Sequence, residues 1–335
     1  MEIYIFFAII IFSLIIYLIN SILLDKIWWV IVFFALLYFL SVQGLVSPDR
    51  QRYIEYYVDT GLGMHRFVYE KGFMILNKYM YQVVGINFNV VFMVYYVIMA
   101  TFFTLGLKYM AKIKREYMFI VLLVFANTIL PASIIIRQFT AIAICLFSIK
   151  IFFEKKYIKF TILIILTSFL HATAPIYLGA CFLYIFLVGK FKTRYKILGV
   201  AGLIISGYLV IQINYINMKL IAYTNTQGMV DRNKFGLLLI LFLVIMITYI
   251  IIISIKKIKF KNEYQKFNLF MGIIFFIMYI GFYKYGFMSR IAYYFQVFMY
   301  AVIIDFICLI ENQYMRIIGF IIYSLVILVL GIKMY

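Results

Sequence analysis

Long apolar runs, separated by short clusters of lysine and arginine, recur along nearly the whole of this 335-residue chain. A helix crossing a bilayer needs about 20 apolar residues, with a range of about 17–25. Candidate spans are 3–24, 27–46, 87–107, 118–136, 137–153, 160–176, 177–189, 197–216, 236–255, 267–284, 291–310 and 317–335. The run 177–189 is short, which suits a segment that is tilted, re-entrant or continuous with the residues before it. Only three prolines and 18 glycines interrupt the chain, so these runs are free to be helical. Hydrophobic residues make up 67% and charged residues 13%, against about 45–50% and about 25% in soluble domains. No globule of this size could cover so much apolar surface with a polar shell, and disorder requires the opposite composition. The expected fold is all-α: one polytopic membrane bundle over 1–335, with about twelve transmembrane helices.

Several function classes drop out. Cys145, Cys181 and Cys308 are odd in number and each sits in an apolar run, which argues against a disulfide framework or a zinc site. Two histidines, with no Cys-x-x-Cys or His-Glu-x-x-His pattern, leave no expected metal centre. The net charge of +19 does not point to nucleic acid, because the basic residues fall in clusters between apolar runs, the signature of membrane orientation.

Those clusters set the expected sidedness. Lys108, Lys112, Lys114 and Arg115 form one, and Lys155, Lys156 and Lys159 another. Lys190, Lys192, Arg194 and Lys196 follow, then Lys256, Lys257, Lys259, Lys261 and Lys266. A helix hairpin separates each cluster from the next, so all four fit on one side, the cytoplasm by the positive-inside rule. Both termini then lie outside, and the first run is read as a retained span because no basic leader precedes it.

The outer face receives 47–86, the loop near 217–235 and the turn near 284–290. The first is crowded with polar chemistry: Asp49, Arg50, Arg52, Tyr53, Glu55, Asp59, His65, Arg66, Glu70 and Lys71. From Gly72 to Ile86, apolar residues recur at helical spacing with Asn77, Lys78 and Gln82 among them, as in a helix lying in the membrane interface. A solvated loop with balanced charge is the plainer alternative for 47–86.

Ionisable residues inside apolar runs cost about 2.5–3.5 kcal/mol each at a helix centre. Arg137, with Gln138 after it, stands where two runs meet at the outer face without basic neighbours. It is either a turn residue reaching headgroups or a functional cation. His171 falls in the outer half of its run among small residues before Pro175, a setting that suggests a cavity. The alternative is a packed histidine. Arg290 opens another run at the outer face, as interfacial anchor or as ligand. Guanidinium groups bind phosphate oxygens in a two-pronged fashion, and carboxylates or a histidine supply general acid–base catalysis.

In this order of elements the chain resembles the EpsG/Wzy-type family of exopolysaccharide and O-antigen polymerases. The elements are Asp49 to Tyr53; Glu70-Lys71-Gly72-Phe73; Arg137-Gln138; His171-Ala172-Thr173-Ala174; and Arg290 followed by Tyr293, Tyr294 and Phe295. One departure is Gln43-Gly44, where family members often carry an arginine near the end of the second span. Arg50 or Arg52 is the expected substitute.

The resemblance implies a glycosyltransferase of the bacterial inner (plasma) membrane with its site facing outward. It would transfer a growing glycan from undecaprenyl pyrophosphate onto a lipid-linked repeat unit. No aspartate-rich metal motif is apparent in the chain, so the chemistry is expected to need no metal or other cofactor. Catalytic candidates are Glu70, Asp49 and His171; substrate-binding candidates are Arg137, Gln138, Arg290, Arg50, Arg52, Tyr53 and Arg66. Implied partners are the lipid-linked oligosaccharide, membrane lipids, a chain-length regulator and a flippase. A transporter or flippase of lipid-linked oligosaccharides is the competing reading, although no internal repeat between halves is apparent. A membrane O-acetyltransferase would need its donor from inside, whereas the polar residues gather outside.

Overall fold

A computed structural model describes residues 2–19, 21–45, 47, 49–64, 70–85, 87–188, 232–258, 260, 262–281 and 288–332. Every element of regular secondary structure among these residues is a helix. The basic cluster 190–196, the expected span 197–216, most of the loop near 217–235, His65 and Arg66 fall outside the described residues. Five helices are long and apolar enough to cross a membrane: Ile22–Leu45, Phe88–Ile113, Ile136–Phe153, Glu263–Gly281 and Arg290–Ile307. Shorter apolar helices accompany them.

The chain divides into two compact units. The first, 1–175 with 307–335, begins with α1 (Glu2–Ile19) and α2 (Ile22–Leu45), then α3 (Arg50–Gly61) and α4 (Lys71–Val84). It continues through α5 (Phe88–Ile113), α6 (Ile120–Asn127), α7 (Ile129–Ile134), α8 (Ile136–Phe153) and α9 (Tyr157–Ser168). α5 packs on α2 and α8, and α9 packs on α8. Gly106 permits the α5–α8 approach, since a Cβ there would lie 2.7 Å from Leu146 Cγ. Small residues at crossings are how apolar helices reach close packing without a hydrophobic force between them. The last helix, α14 (Gln313–Ile332), packs on α6, with Phe119 and Phe320 stacked at 4.4 Å.

The second unit, 176–306, holds most of α10 (Ala174–Val188), with α11 (Arg232–Ile255), α12 (Glu263–Gly281) and α13 (Tyr293–Ile307). Its core is aromatic: Tyr177 stacks on Phe295 at 6.2 Å and Tyr184 meets Phe267 edge-on at 5.0 Å. Gln265 donates to the buried Asp305 at 3.3 Å.

Two expected spans are broken. The run 118–136 starts in a 3-10 turn (Arg115–Phe119) and then breaks at Thr128 between α6 and α7, where Pro131 has no N–H to give to the carbonyl of Asn127. The run 160–176 stops at Ser168, and the next helix starts at Ala174. Pro175 cannot donate to His171, whose carbonyl instead accepts from Ala174 N at 3.1 Å. His171 therefore lies in a bend between helices rather than within a span.

The first part of 47–86 is also helical, which its polar composition concealed. Tyr53 and Tyr57, one turn apart on α3, are buried, and Tyr57 donates its hydroxyl to Gly85 O at 2.8 Å. In α4 the spacing expectation is met, with one correction. Asn77 is buried beside Phe73 and accepts from Tyr95 OH at 3.3 Å, while Ile75, Tyr79 and Val83 are the exposed stripe.

Candidate active site

Glu70 stands at the N-terminal boundary of α4, in extended backbone, and its carboxylate does not cap that helix. Its Oε2 instead pairs with Arg137 Nη1, and its Oε1 accepts from Ala172 N at 3.4 Å. Three chain segments thus meet on one carboxylate. The start of α4 is pressed against the α9–α10 bend, where Phe73 N donates to Phe169 O at 3.2 Å. Gly72 makes this possible. A Cβ on it would lie 2.6 Å from Phe169 Cβ and 2.8 Å from Phe169 O.

The guanidinium of Arg137 also lies over the Phe73 ring, 4.9 Å from its centre. A cation over an aromatic face is attracted by the ring quadrupole, by about 0.5–2 kcal/mol depending on exposure. Phe73 in turn meets Tyr53 edge-on at 6.4 Å, and Tyr53 meets Phe92 at 6.1 Å. Arg50 closes the line, 4.9 Å over the Phe92 ring. The result is a row running cation, ring, ring, ring, cation, with Glu70 at one end. Burial pushes the Tyr53 hydroxyl above its ordinary value of 10, and the nearby Arg137 charge offsets part of that rise. Tyr53 is therefore a neutral hydroxyl at physiological pH.

His171 is buried, its Nδ1 2.7 Å from Thr173 Oγ1, one residue before the amide that reaches Glu70. Arg50 turns back on the end of α2, donating to Gly44 O at 3.3 Å and also bonding Asn89 Oδ1. Asp49 starts α3, and its carbonyl accepts from Tyr53 N at 3.0 Å. Its carboxylate adds to the field on the Tyr53 hydroxyl.

The sequence profile of the EpsG family matches residues 26–335. The chain belongs to the EpsG family. This is the family of exopolysaccharide and Wzy-type polymerases. No curated protein and no solved structure shows significant similarity to the chain.

Of the residues singled out in the sequence, the structure brings together Tyr53, Glu70, Arg137 and the His171 bend in the first unit. Gln138 is buried in α8 directly after Arg137. Arg50 reaches back to the Gly44 carbonyl at the end of α2, whereas Arg52 is exposed on α3. Arg290 belongs to the second unit, half-buried in the 3-10 turn Met288–Ala292 ahead of α13. Phe73, Asn77 and Tyr95 were not among the expected site residues, yet all three line it. Their signal was the four-residue spacing of Phe73 and Asn77, which puts both on one helix face. Among the described residues no group of three or more His, Cys, Asp or Glu could hold a metal ion.

Proposed function

We propose that the chain is a polysaccharide polymerase that crosses the bacterial inner membrane about twelve times, with its site at the outer face. It lengthens a glycan by transferring it from undecaprenyl pyrophosphate onto a lipid-linked repeat unit. The observation that carries this reading is the contact of Glu70 with Arg137 at the end of the bundle where segment 47–86 gathers.

The chemistry needs a base and an anion-binding cation side by side. A hydroxyl of the acceptor sugar attacks the anomeric carbon of the donor glycan. The bond from that carbon to the pyrophosphate oxygen breaks, its electron pair staying on the pyrophosphate. Glu70 takes the hydroxyl proton, and Arg137 stabilises the departing charge. Five N–H donors in a planar fork let a guanidinium serve a carboxylate and a phosphate together. His171 acts on the donor side, from the bend whose Ala172 N reaches Glu70, and Arg50 stands in for the arginine absent at Gln43-Gly44. Arg290 is assigned phosphate binding on its sequence setting.

Glycan ladders from cells expressing Glu70→Gln, Asp49→Asn or His171→Ala at matched protein level test this assignment. Glu70→Gln is expected to leave single repeat units. Normal ladders from both carboxamide variants, with none from His171→Ala, would transfer the base to His171.

A further inference from the structure

A cavity of about 560 Å³ opens in the first unit at the opposite ends of α5 and α8 from Glu70 and Arg137. Lys150 lies thirteen positions after Arg137 along α8, roughly 20 Å of helix. The cavity is lined by five cations, Lys26, Lys108, Lys112, Arg115 and Lys150, drawn from three helices and the turn after α5. Its acids, Asp25 and Glu154, are already engaged. Asp25 lies 3.5 Å from Arg115, and Glu154 pairs with Lys156 at 2.6 Å. Among the described residues, no carboxylate comes within ion-pair distance of Lys26, Lys108, Lys112 or Lys150.

A second observation points the same way. Trp28 lines the cavity, is 1% exposed, and its indole Nε1–H has no acceptor among the described residues. The Nε–H of Arg115 is likewise shielded and without an acceptor. Shielded donors without acceptors are costly, at about 1–3 kcal/mol each. Donors and cations gathered around one cavity are the complement of an anion rich in oxygen. Apart from Tyr109, the rest of the lining is largely apolar, with Trp29, Leu105 and Phe147, which suits a ligand that is part headgroup and part hydrocarbon.

We propose that this cavity binds the phosphate headgroup of an anionic membrane lipid. Basic pockets between membrane helices recognise such headgroups by charge. The site is separate from the Glu70–Arg137 pair and does not depend on the polymerase reading.

The full-length chain in neutral detergent, titrated with phosphatidylglycerol or phosphatidylcholine and read by native mass spectrometry, tests the site. Phosphatidylglycerol should be retained at roughly tenfold lower concentration than phosphatidylcholine, since only its headgroup carries net charge. K108Q/K112Q should weaken phosphatidylglycerol retention about thirtyfold, each lysine being worth about fivefold. K155Q/K159Q removes the same charge from the same end but outside the cavity, and should bind as the wild type. Should K108Q/K112Q fail to accumulate, Trp28→Phe keeps a ring but loses the N–H, with a loss of about tenfold expected. Equal losses from the two lysine pairs would reveal general attraction to surface charge and overturn the site. Full displacement of the lipid by excess inorganic phosphate would assign the cavity to free phosphate and overturn the lipid. Unchanged retention by Trp28→Phe or K108Q/K112Q would overturn both.

Discussion

The Glu70 carboxylate is ion-paired with the Arg137 guanidinium, 67 residues further along the chain, and the side chains are only 11% and 19% exposed. Water therefore solvates neither charge well, and each depends on the other. Glu70→Gln or Arg137→Gln alone should cost about 2–3 kcal/mol in unfolding from detergent. The double variant should cost less than the sum of the two, by about 0.5–3 kcal/mol. Additive losses would show that the contact carries no coupling.

Gly72 is the point where α4 touches the bend that carries His171. Gly72→Ala should force the two apart, costing about 1–3 kcal/mol, and drag Glu70 away from Ala172 N. Polymer yield should fall at equal protein level. Gly179→Ala, where a Cβ would meet nothing within 4 Å, should be neutral or slightly stabilising in the same assays.

Arg50 and Arg52 lie two residues apart on α3 but in different surroundings. Arg50 spans Gly44 O, Asn89 and the Phe92 ring, whereas Arg52 is exposed. Arg50→Ala should shorten glycan ladders severely, and Arg52→Ala should leave them near normal. Surface substitutions away from such contacts usually stay within about 0.5 kcal/mol. Equal effects from the two would remove Arg50 from its role beside Gly44.

Tyr53 supplies a pH test. Burial, the largest influence, raises its folded value above 10, with Arg137 opposing. For a group raised in the folded state, stability is complete below the unfolded value and is lost as pH climbs through the folded one. Unfolding measured from pH 8 to 12 should show stability falling above about pH 10, and Tyr53→Phe should flatten that fall. A fall of the same slope in Tyr53→Phe would place the titrating group elsewhere, with Tyr57, also raised by burial, the next to test.

Hydropathy carries the helical class and most helix positions, because each run's length and apolarity follow directly from bilayer thickness. It misses the breaks at Thr128 and 169–173, which arise from the absent N–H groups of Pro131 and Pro175 rather than from polarity. The candidate site was legible one residue at a time. Glu70, Arg137 and His171 stand out as ionisable groups in apolar or ordered settings, but their meeting depends on the packing of α4, α8 and the α9–α10 bend. Phe73 was invisible as the surface under Arg137, since one phenylalanine among 36 carries no signal of its own. Asn77 read as a polar interruption, and only its hydrogen bond with Tyr95 explains why it faces inward.

The most direct measurement is chain extension by the purified protein in vesicles supplied with lipid-linked repeat units, with product length resolved on a gel. The wild type should build ladders without further enzyme. Glu70→Gln should slow extension by about 10²–10⁴-fold, and Arg137→Lys, which keeps charge but loses the fork, should slow it sharply as well. Extension by both variants at the wild-type rate, or transbilayer movement of repeat units by the wild type without any lengthening, would contradict polymerisation at the Glu70–Arg137 pair.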